Sequence, residues 1–416
     1  MSFLLTLPLV LFAHGDLTHG PWLGHADDDS ATVWVRTDRA LWLTLEATPL
    51  DGSEASHRAF FHTGPADDYC VSMQLDGLAP GTRYAYSVRA GERVLVEHGE
   101  FQTTSPTEDS ARLAFCSCVD EDEATRAVWP VIERSAPTAL VLLGDTPYID
   151  STRLAVQRRR YAEFAAVPEL ARVVRQIPTY STWDDHDVGR NDTDGNLPGK
   201  ENARIAFVDF RPNGSFGEGD AGIYTSFRRG PVEVFVLDTR TFANTADTPH
   251  SDGVATALGS RQWAWLLRGL ERSSAPYKVL CCGMIWNGAV RPGKRDHWGS
   301  YAIERSRLFR FIAERKIEGV VLVGGDIHRS RVLHHEFEGV RVHELIVSPL
   351  HDRIIKSANQ PHPALVADFG KPHSFLLLDA RQGVESGLVA RLVDETGVPY
   401  FERTIFGAAV ERGESR

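Results

Sequence analysis

Ala139-Leu-Val-Leu-Leu-Gly-Asp-Thr-Pro-Tyr148 joins an apolar run to a glycine, a carboxylate and, three residues further, a phenol. The run Ala139 to Leu143 reads as a buried strand, and Gly144 and Pro147 end it. Asp145 and Tyr148 therefore stand just past a strand's C-terminal end, where an α/β sheet opens into a crevice. The same grain continues outward. Helical periodicity spans Leu154 to Gln176, Ser260 to Arg272 and Glu304 to Arg315, the last with Leu308, Phe309, Phe311 and Ile312 on its apolar side. Strand-like runs occupy Val232 to Leu237, Lys278 to Cys282 and Val320 to Val323. Such alternation predicts an α/β core, and the strand-rich tail from Val340 to Phe406 predicts a second sheet.

Before Arg112 the pattern differs. Val33 and Val35, then Leu41, Leu43 and Leu45, then Tyr84, Tyr86 and Val88 repeat with period two between turn residues. This predicts a small β-sandwich over residues 16–105, and the stretch Leu78 to Val88 resembles fibronectin type III or immunoglobulin-like domains. Ser105 to Ser110 is polar, contains proline and reads as a linker to the α/β region, a second domain at 111–410. Ser2 to Ala13 is apolar but shorter than the ~20 residues of a membrane span. With small residues at Ala13 and Gly15 it reads as a signal peptide over residues 1–15, which implies export to a periplasmic or extracellular space. The alternative is a first β-strand of the sandwich, and with it a cytoplasmic protein.

The 416 residues carry 45 Lys and Arg against 56 Asp and Glu, a formal charge of −11 that disfavours a nucleic-acid-binding surface. Hydrophobic residues at 42% and charged residues at 24% are those of an ordinary globular chain. Five cysteines, at 70, 116, 118, 281 and 282, lack zinc-ribbon or disulfide-framework spacing.

Three further segments place ligand-type or acid/base side chains just past apolar runs: Leu113-Ala-Phe-Cys-Ser-Cys-Val-Asp120, Tyr180-Ser-Thr-Trp-Asp-Asp-His-Asp-Val-Gly-Arg-Asn-Asp192 and Val323-Gly-Gly-Asp-Ile-His328. Each alone is also compatible with a capping turn. In order with Gly144-Asp-x-x-Tyr148, they resemble the alkaline phosphatase D (PhoD) family of metallophosphoesterases and, more distantly, the purple acid phosphatases. Val236-Leu-Asp-Thr-Arg240, Leu258-Gly-Ser-Arg-Gln-Trp263, Asp296-His-Trp-Gly-Ser-Tyr301 and Glu344-Leu-Ile-Val-Ser-Pro349 agree with the resemblance, which covers about Thr18 to Phe406. Thr146-Pro147 departs from the family's commoner pair.

The resemblance implies a four-layer αββα catalytic sandwich behind the small β-sandwich. It implies that Cys118, Tyr148 and His328 hold iron(III), that Asp145 bridges two metals, and that Asn191 and Asp326 complete a second site holding calcium. Donor chemistry is compatible with that division. A thiolate and a phenolate bind as anions and suit a strongly charged ion, whereas oxygen donors suit calcium, magnesium or manganese better than zinc. Two such metals ~3.5–4 Å apart can supply a hydroxide nucleophile for phosphoester hydrolysis. The resemblance further places His186 on the leaving-group side, with Asp185 orienting it.

Cys116, Cys281 and Cys282 read as core, Cys70 carries no motif, and Asp120 reads as part of an acidic helix start at Asp120 to Glu123. Arg190, Arg240, His297 and Trp286 are candidates for substrate contact, but Arg240 reads rather as a structural ion-pair partner of Asp238 or another carboxylate, and His297 alternatively as a loop surface residue. Histidines 334, 335, 343, 351, 362 and 373 show no ligand spacing. The expected activity is phosphodiester or phosphomonoester hydrolysis. A phospholipase-like diesterase, or a metal-retaining binding protein that uses its β-sandwich, are the alternatives.

Overall fold

The computed structural model describes residues 16–53 and 55–407. The proposed signal peptide at 1–15 and the last residues of the proposed catalytic domain lie outside them. No helix among the described residues is long and apolar enough to cross a membrane.

The N-terminal region holds β1 (Leu17–Ala26), β2 (Ser30–Thr37), β3 (Trp42–Pro49), β4 (His57–His62), β5 (Cys70–Asp76), β6 (Arg83–Ala90) and β7 (Arg93–Gln102). They form a three-stranded sheet, β1-β2-β5, and a four-stranded sheet, β4-β3-β6-β7. The alternating residues read from the sequence, Val33, Val35, Leu43, Leu45, Tyr84, Tyr86 and Val88, are buried together in one cluster, because period two sends them to one face.

The remainder comprises β8 (Ser110–Cys116), α1 (Glu123–Arg126), α2 (Trp129–Arg134), β9 (Ala139–Leu142), α3 (Leu154–Ala165), α4 (Pro168–Val174), β10 (Thr179–Ser181), α5 (Asp185–Val188), α6 (Lys200–Phe210), β11 (Thr225–Arg229) and β12 (Val232–Val236). These are followed by α7 (Gly259–Arg272), β13 (Tyr277–Cys281), α8 (Ala302–Glu314), β14 (Val320–Gly324), β15 (Ser330–Phe337), β16 (Val340–Ile346), β17 (Leu365–Phe369), β18 (Phe375–Arg381), β19 (Gly387–Val393) and β20 (Pro399–Phe406). Two mixed sheets result, a six-stranded β10-β9-β8-β18-β19-β20 and a seven-stranded β11-β12-β13-β14-β16-β15-β17. Their inner faces share one apolar cluster that includes Leu113, Val141 and Leu376 from the first sheet and Val234, Val279 and Val321 from the second. Helical residues such as Phe164, Leu170 and Phe207 pack against the outer face of the first sheet, and Leu266, Leu270 and Phe309 against that of the second.

Two expectations change. Leu154 to Gln176 is two helices, broken at Val167-Pro168, because proline disfavours helical geometry in the residue before it and cannot donate into the preceding turn. The tail from Val340 does not build a sheet of its own. Its strands β16 and β17 join the seven-stranded sheet, and β18 to β20 the six-stranded one, which brings the C-terminal chain against β8.

The two regions share a core. Trp22, Trp34 and Cys70 of the N-terminal region belong to the cluster outside the first sheet. The Trp34 indole donates to the Asp209 carbonyl at 2.7 Å. Arg211, only 1% exposed, lies over the rings of Trp22, Tyr161 and Phe164 at 5.1, 5.0 and 5.3 Å and donates to the Thr146 carbonyl. Removing Trp22 empties this contact and strips the guanidinium of an aromatic face. A Trp22→Ala variant should lose about 3–5 kcal/mol of stability in chemical denaturation; an unchanged midpoint would mean that the two regions do not share stability here.

Candidate active site

β8, β9 and β10 run parallel, as do β12, β13 and β14 in the facing sheet. Their C-terminal ends therefore open at common edges, and the singled-out side chains follow β8 (Cys118), β9 (Asp145, Tyr148), β10 (Asp185, His186) and β14 (Asp326, His328). The chain turns sharply at each exit: Cys118, Asp145, Asp326 and His328 have φ of 53°, 51°, 64° and 51°. This left-handed conformation is uncommon outside glycine and is held here by the surroundings. Gly144 has φ of 105°, and a Cβ there would lie 2.6 Å from the Asp184 amide nitrogen, so only glycine lets these two loops meet.

Backbone hydrogen bonds tie the loops together. The Cys118 and Val119 amides donate to the Gly144 and Asp145 carbonyls at 3.2 and 2.9 Å, and the Ile149 and Asp150 amides both donate to the His186 carbonyl at 3.0 Å. Asp187 accepts from the amides of Asp145, Thr146 and Asp184. Its carboxylate holds the β9 exit in shape, which the sequence reading did not assign to it.

Within this frame, donor atoms of Cys118, Asp145 and His328 all lie within 4.8 Å of one another. Cys118 Sγ is 3.5 Å from Asp145 Oδ2, and Tyr148 Oη is 3.1 Å from His328 Nε2. Asp184, Asp185 and Asp326 form a second such group, and Asp185 also belongs to a group with Asp145 and His186. Asp185 thus lies between the two clusters.

Asp145 Oδ1, Asp184 Oδ2, Asp326 Oδ2 and His328 Nδ1 are buried without a hydrogen-bond partner. Buried unpaired carboxylate oxygens are costly, and the acidities express it. Burial, then Asp185 and Asp184, push Asp145 well above the ordinary carboxylate range. Burial raises Asp184 strongly against the pull of Arg240 and brings Asp326 to about 6. Burial and then Asp145 drive the Cys118 thiol upward. Burial lowers His328 to about 4, which keeps its imidazole neutral and able to ligate. A cation at these groups reverses the penalties on the anions, so the donor set fits metal ions.

One expectation meets different geometry. The ring partner of His186 is Asp150, with Nδ1 2.6 Å from Asp150 Oδ1. Asp185 instead accepts from the backbone amides of His186 and Asp192 at 3.0 and 2.6 Å. The two backbone bonds from Ile149 and Asp150 to His186 draw Asp150 to that ring, a pairing across loops that spacing does not reveal. Asn191 lies exposed on the turn after α5, beside Asp192, whose carboxylate lies with those of Asp185 and Asp296.

Arg240 is buried, pairing with Asp184 and Asp296, which is the ion-pair alternative for that residue. Trp286 is fully buried and stacked on Trp298 at 4.4 Å, so it is core rather than a substrate contact. The ring of His297 lies 3.0 Å from the Lys294 carbonyl, and Arg190 is exposed. Lys294 and His351 went unassigned. Lys294 Nζ is 2.9 Å from Asp326 Oδ1 and 3.4 Å from Asp192 Oδ1, and His351 Nε2 is 3.1 Å from Tyr148 Oη.

The Asp326 shift makes a prediction. With its carboxyl raised from 3.8 to about 6, the stability its proton provides is complete below about 4 and lost as pH rises through 6. A cation needs the ionised form. The difference in melting temperature between metal-loaded and chelator-stripped protein should therefore widen from pH 4 to pH 7. A pH-independent difference would exclude Asp326 as a ligand.

Residues 113–374 match the PhoD-like phosphatase family, and residues 14–107 match a domain of unknown function, DUF7800. Alkaline phosphatase D of Bacillus subtilis (strain 168) is 26% identical over 332 residues, which cover 66% of this chain and 56% of that protein, so the chain spans little more than half its length. A solved structure of PhoD superposes with a TM-score of 0.74 at 19% identity, over 97% of this chain and 94% of the other. Purple acid phosphatase PPD1 from yellow lupin (Lupinus luteus) seeds gives 0.65 at 12% identity, over 92% and 73%. These two likenesses concern the fold. The family match takes in β8 to β17 and every strand exit that carries a donor of the two clusters, and the chain belongs to the PhoD-like phosphatase family.

Proposed function

We propose that the chain is a metal-dependent hydrolase of phosphate esters. The carrying observation is the convergence of buried, unpaired donors from three strand exits, after β9, β10 and β14, beside the buried Cys118 thiol that follows β8. Family membership and the similarity to alkaline phosphatase D support the same reaction class. In this reading Cys118, Asp145, Tyr148 and His328 hold iron(III), since thiolate and phenolate favour a highly charged ion. Asp145, Asn191 and Asp326 hold calcium, with magnesium, manganese or zinc as alternatives, and Asp185 is added to the set by its position between the clusters. The site belongs to a four-layer αββα catalytic domain at 111–410, preceded by a fibronectin III- or immunoglobulin-like domain at 16–105.

Bound there, the cations supply Lewis acidity toward a phosphoryl group and acidify water. The chain's own groups orient and neutralise. Asp187 holds the Asp145 loop through the Asp145 and Thr146 amides and its own turn through the Asp184 amide. Arg240 pairs with Asp184, and Lys294 sets a positive charge against Asp326. His186 is 22% exposed at its side chain, edge-on to Tyr148, with Nδ1 engaged by Asp150. Its ring then has one orientation, and its other nitrogen is the atom that donates a proton to the leaving oxygen or stabilises charge there. Asp150 is the group that positions His186, in place of Asp185.

Three measurements test this reading. Purified protein should contain iron and a divalent ion and show a visible charge-transfer band; colourless protein holding only zinc would overturn the iron assignment. His186→Ala should lose ~10²–10⁴-fold in turnover of alkyl phosphate esters, less with 4-nitrophenyl esters, whose leaving group needs no proton. Full alkyl-ester turnover in a metal-replete variant would remove His186 from the reaction. Rates on a monoester, a simple diester and a phospholipid, compared side by side, assign the substrate class, and inertness toward all three would favour the binding-protein alternative.

A further inference from the structure

Tyr148 Oη meets two imidazoles, His328 Nε2 and His351 Nε2, each at 3.1 Å. The first belongs to the proposed ligand set; nothing in the reaction has yet used the second. His351 is fully buried and held on both sides. Its amide donates to the Cys118 carbonyl at 3.2 Å, its carbonyl accepts from the His373 amide at 3.3 Å, and the preceding Leu350 amide donates to the Ser117 carbonyl at 3.0 Å. The segment after Ser348-Pro349 is thus zipped onto the chain that carries Cys118, so thiol and imidazole are placed together.

The imidazole's protonation follows from its other side. His351 Nδ1 lies 3.0 Å from the Arg353 amide nitrogen. A backbone N–H only donates, so Nδ1 must present a lone pair. A ring with its lone pair on Nδ1 carries its proton on Nε2, and that N–H faces Tyr148 Oη. In this pair the phenolic oxygen accepts. The Arg353 guanidinium, 5.3 Å over the Tyr148 ring, adds a positive charge on the same side. Both contacts favour an oxygen carrying negative charge, which is the form that binds a metal as phenolate.

We infer that His351 is a positioning residue that donates a hydrogen bond from Nε2 to the Tyr148 oxygen, orienting that oxygen as a metal ligand and withdrawing electron density from it. The second half of this statement rests on the metal reading proposed above. A histidine that merely fills space would leave the electronic character of the tyrosinate unchanged, whereas loss of a donated hydrogen bond makes the oxygen a stronger electron donor toward iron(III). Its charge-transfer band then moves to lower energy.

The test has two arms. In metal-free, ¹⁵N-histidine-labelled protein, long-range ¹H–¹⁵N spectra read the tautomer directly; His351 should be the Nε2–H form, and an Nδ1–H form would overturn the inference. In iron-loaded protein, His351→Phe should keep its iron while its band shifts to longer wavelength, and His351→Gln, whose amide can still donate, should stay near the wild-type position. Tyr148→Phe identifies the tyrosinate part of the band. An unshifted band in iron-replete His351→Phe would overturn the inference. A colourless wild type with His351 in the Nε2–H form would sustain the hydrogen bond and overturn the iron assignment instead, so the two failures are distinguishable.

Discussion

Carboxylate crowding at one end of the facing sheets is the constraint on which the rest of this structure depends. Asp145, Asp184, Asp185, Asp187 and Asp326 are all buried, and Arg240 and Lys294 are the cations set among them. Such an arrangement is expensive in a low-dielectric interior. The molecule meets the cost in two ways. Asp187 spends its oxygens on backbone amides, and Asp184 shares one of its own with Arg240. Oxygens of Asp145, Asp184 and Asp326 stay unpaired, and these are the ones a metal would satisfy. Stability and function pull in opposite directions at those atoms, as they do at other sites built for charge.

The loops that hold these carboxylates are kept in shape by neighbours beyond the site. Left-handed backbone at Cys118, Asp145, Asp326 and His328 persists because each loop is clipped to another by main-chain bonds. Behind the β9 exit, the Thr146 carbonyl is held by Arg211, which lies over Trp22 of the N-terminal region. That region is therefore not an appendage: its tryptophan covers the guanidinium that braces the loop next to Asp145. Preorganisation of this kind, donors fixed before any ion arrives, is what lets a metal site bind without rebuilding the backbone.

Much of this was legible in the sequence, for identifiable reasons. Period-two alternation at Val33, Val35, Leu43 and Leu45 announced strands whose inner faces pack together, and the apolar runs before Asp145 and Asp326 announced buried strands with polar exits. Asp122 caps α1 by accepting from the Thr125 amide at 2.7 Å, within the acidic run read as a helix start. What escaped were pairings between distant segments. Asp150 reaches His186 and His351 reaches Tyr148 across intervals that no periodicity relates. Lys294 sits in a loop with no pattern of its own, and the break at Pro168 was obscured by apolar residues that continue helical spacing on both sides of it.

The sequence by itself determined the element types, the order of the donor-bearing segments and the strand ends at which they emerge, because these depend on local spacing and burial preference. Only the tertiary structure decided which side chains meet. The tail strands divide between two sheets, Asp185 lies between the two donor clusters, Asp150 takes the His186 ring, and the chain after Pro349 is laid against Cys118. Each of these depends on how loops from different strands clip to one another in space, and hydrogen-bond geometry over a few ångströms leaves no periodic trace along the chain.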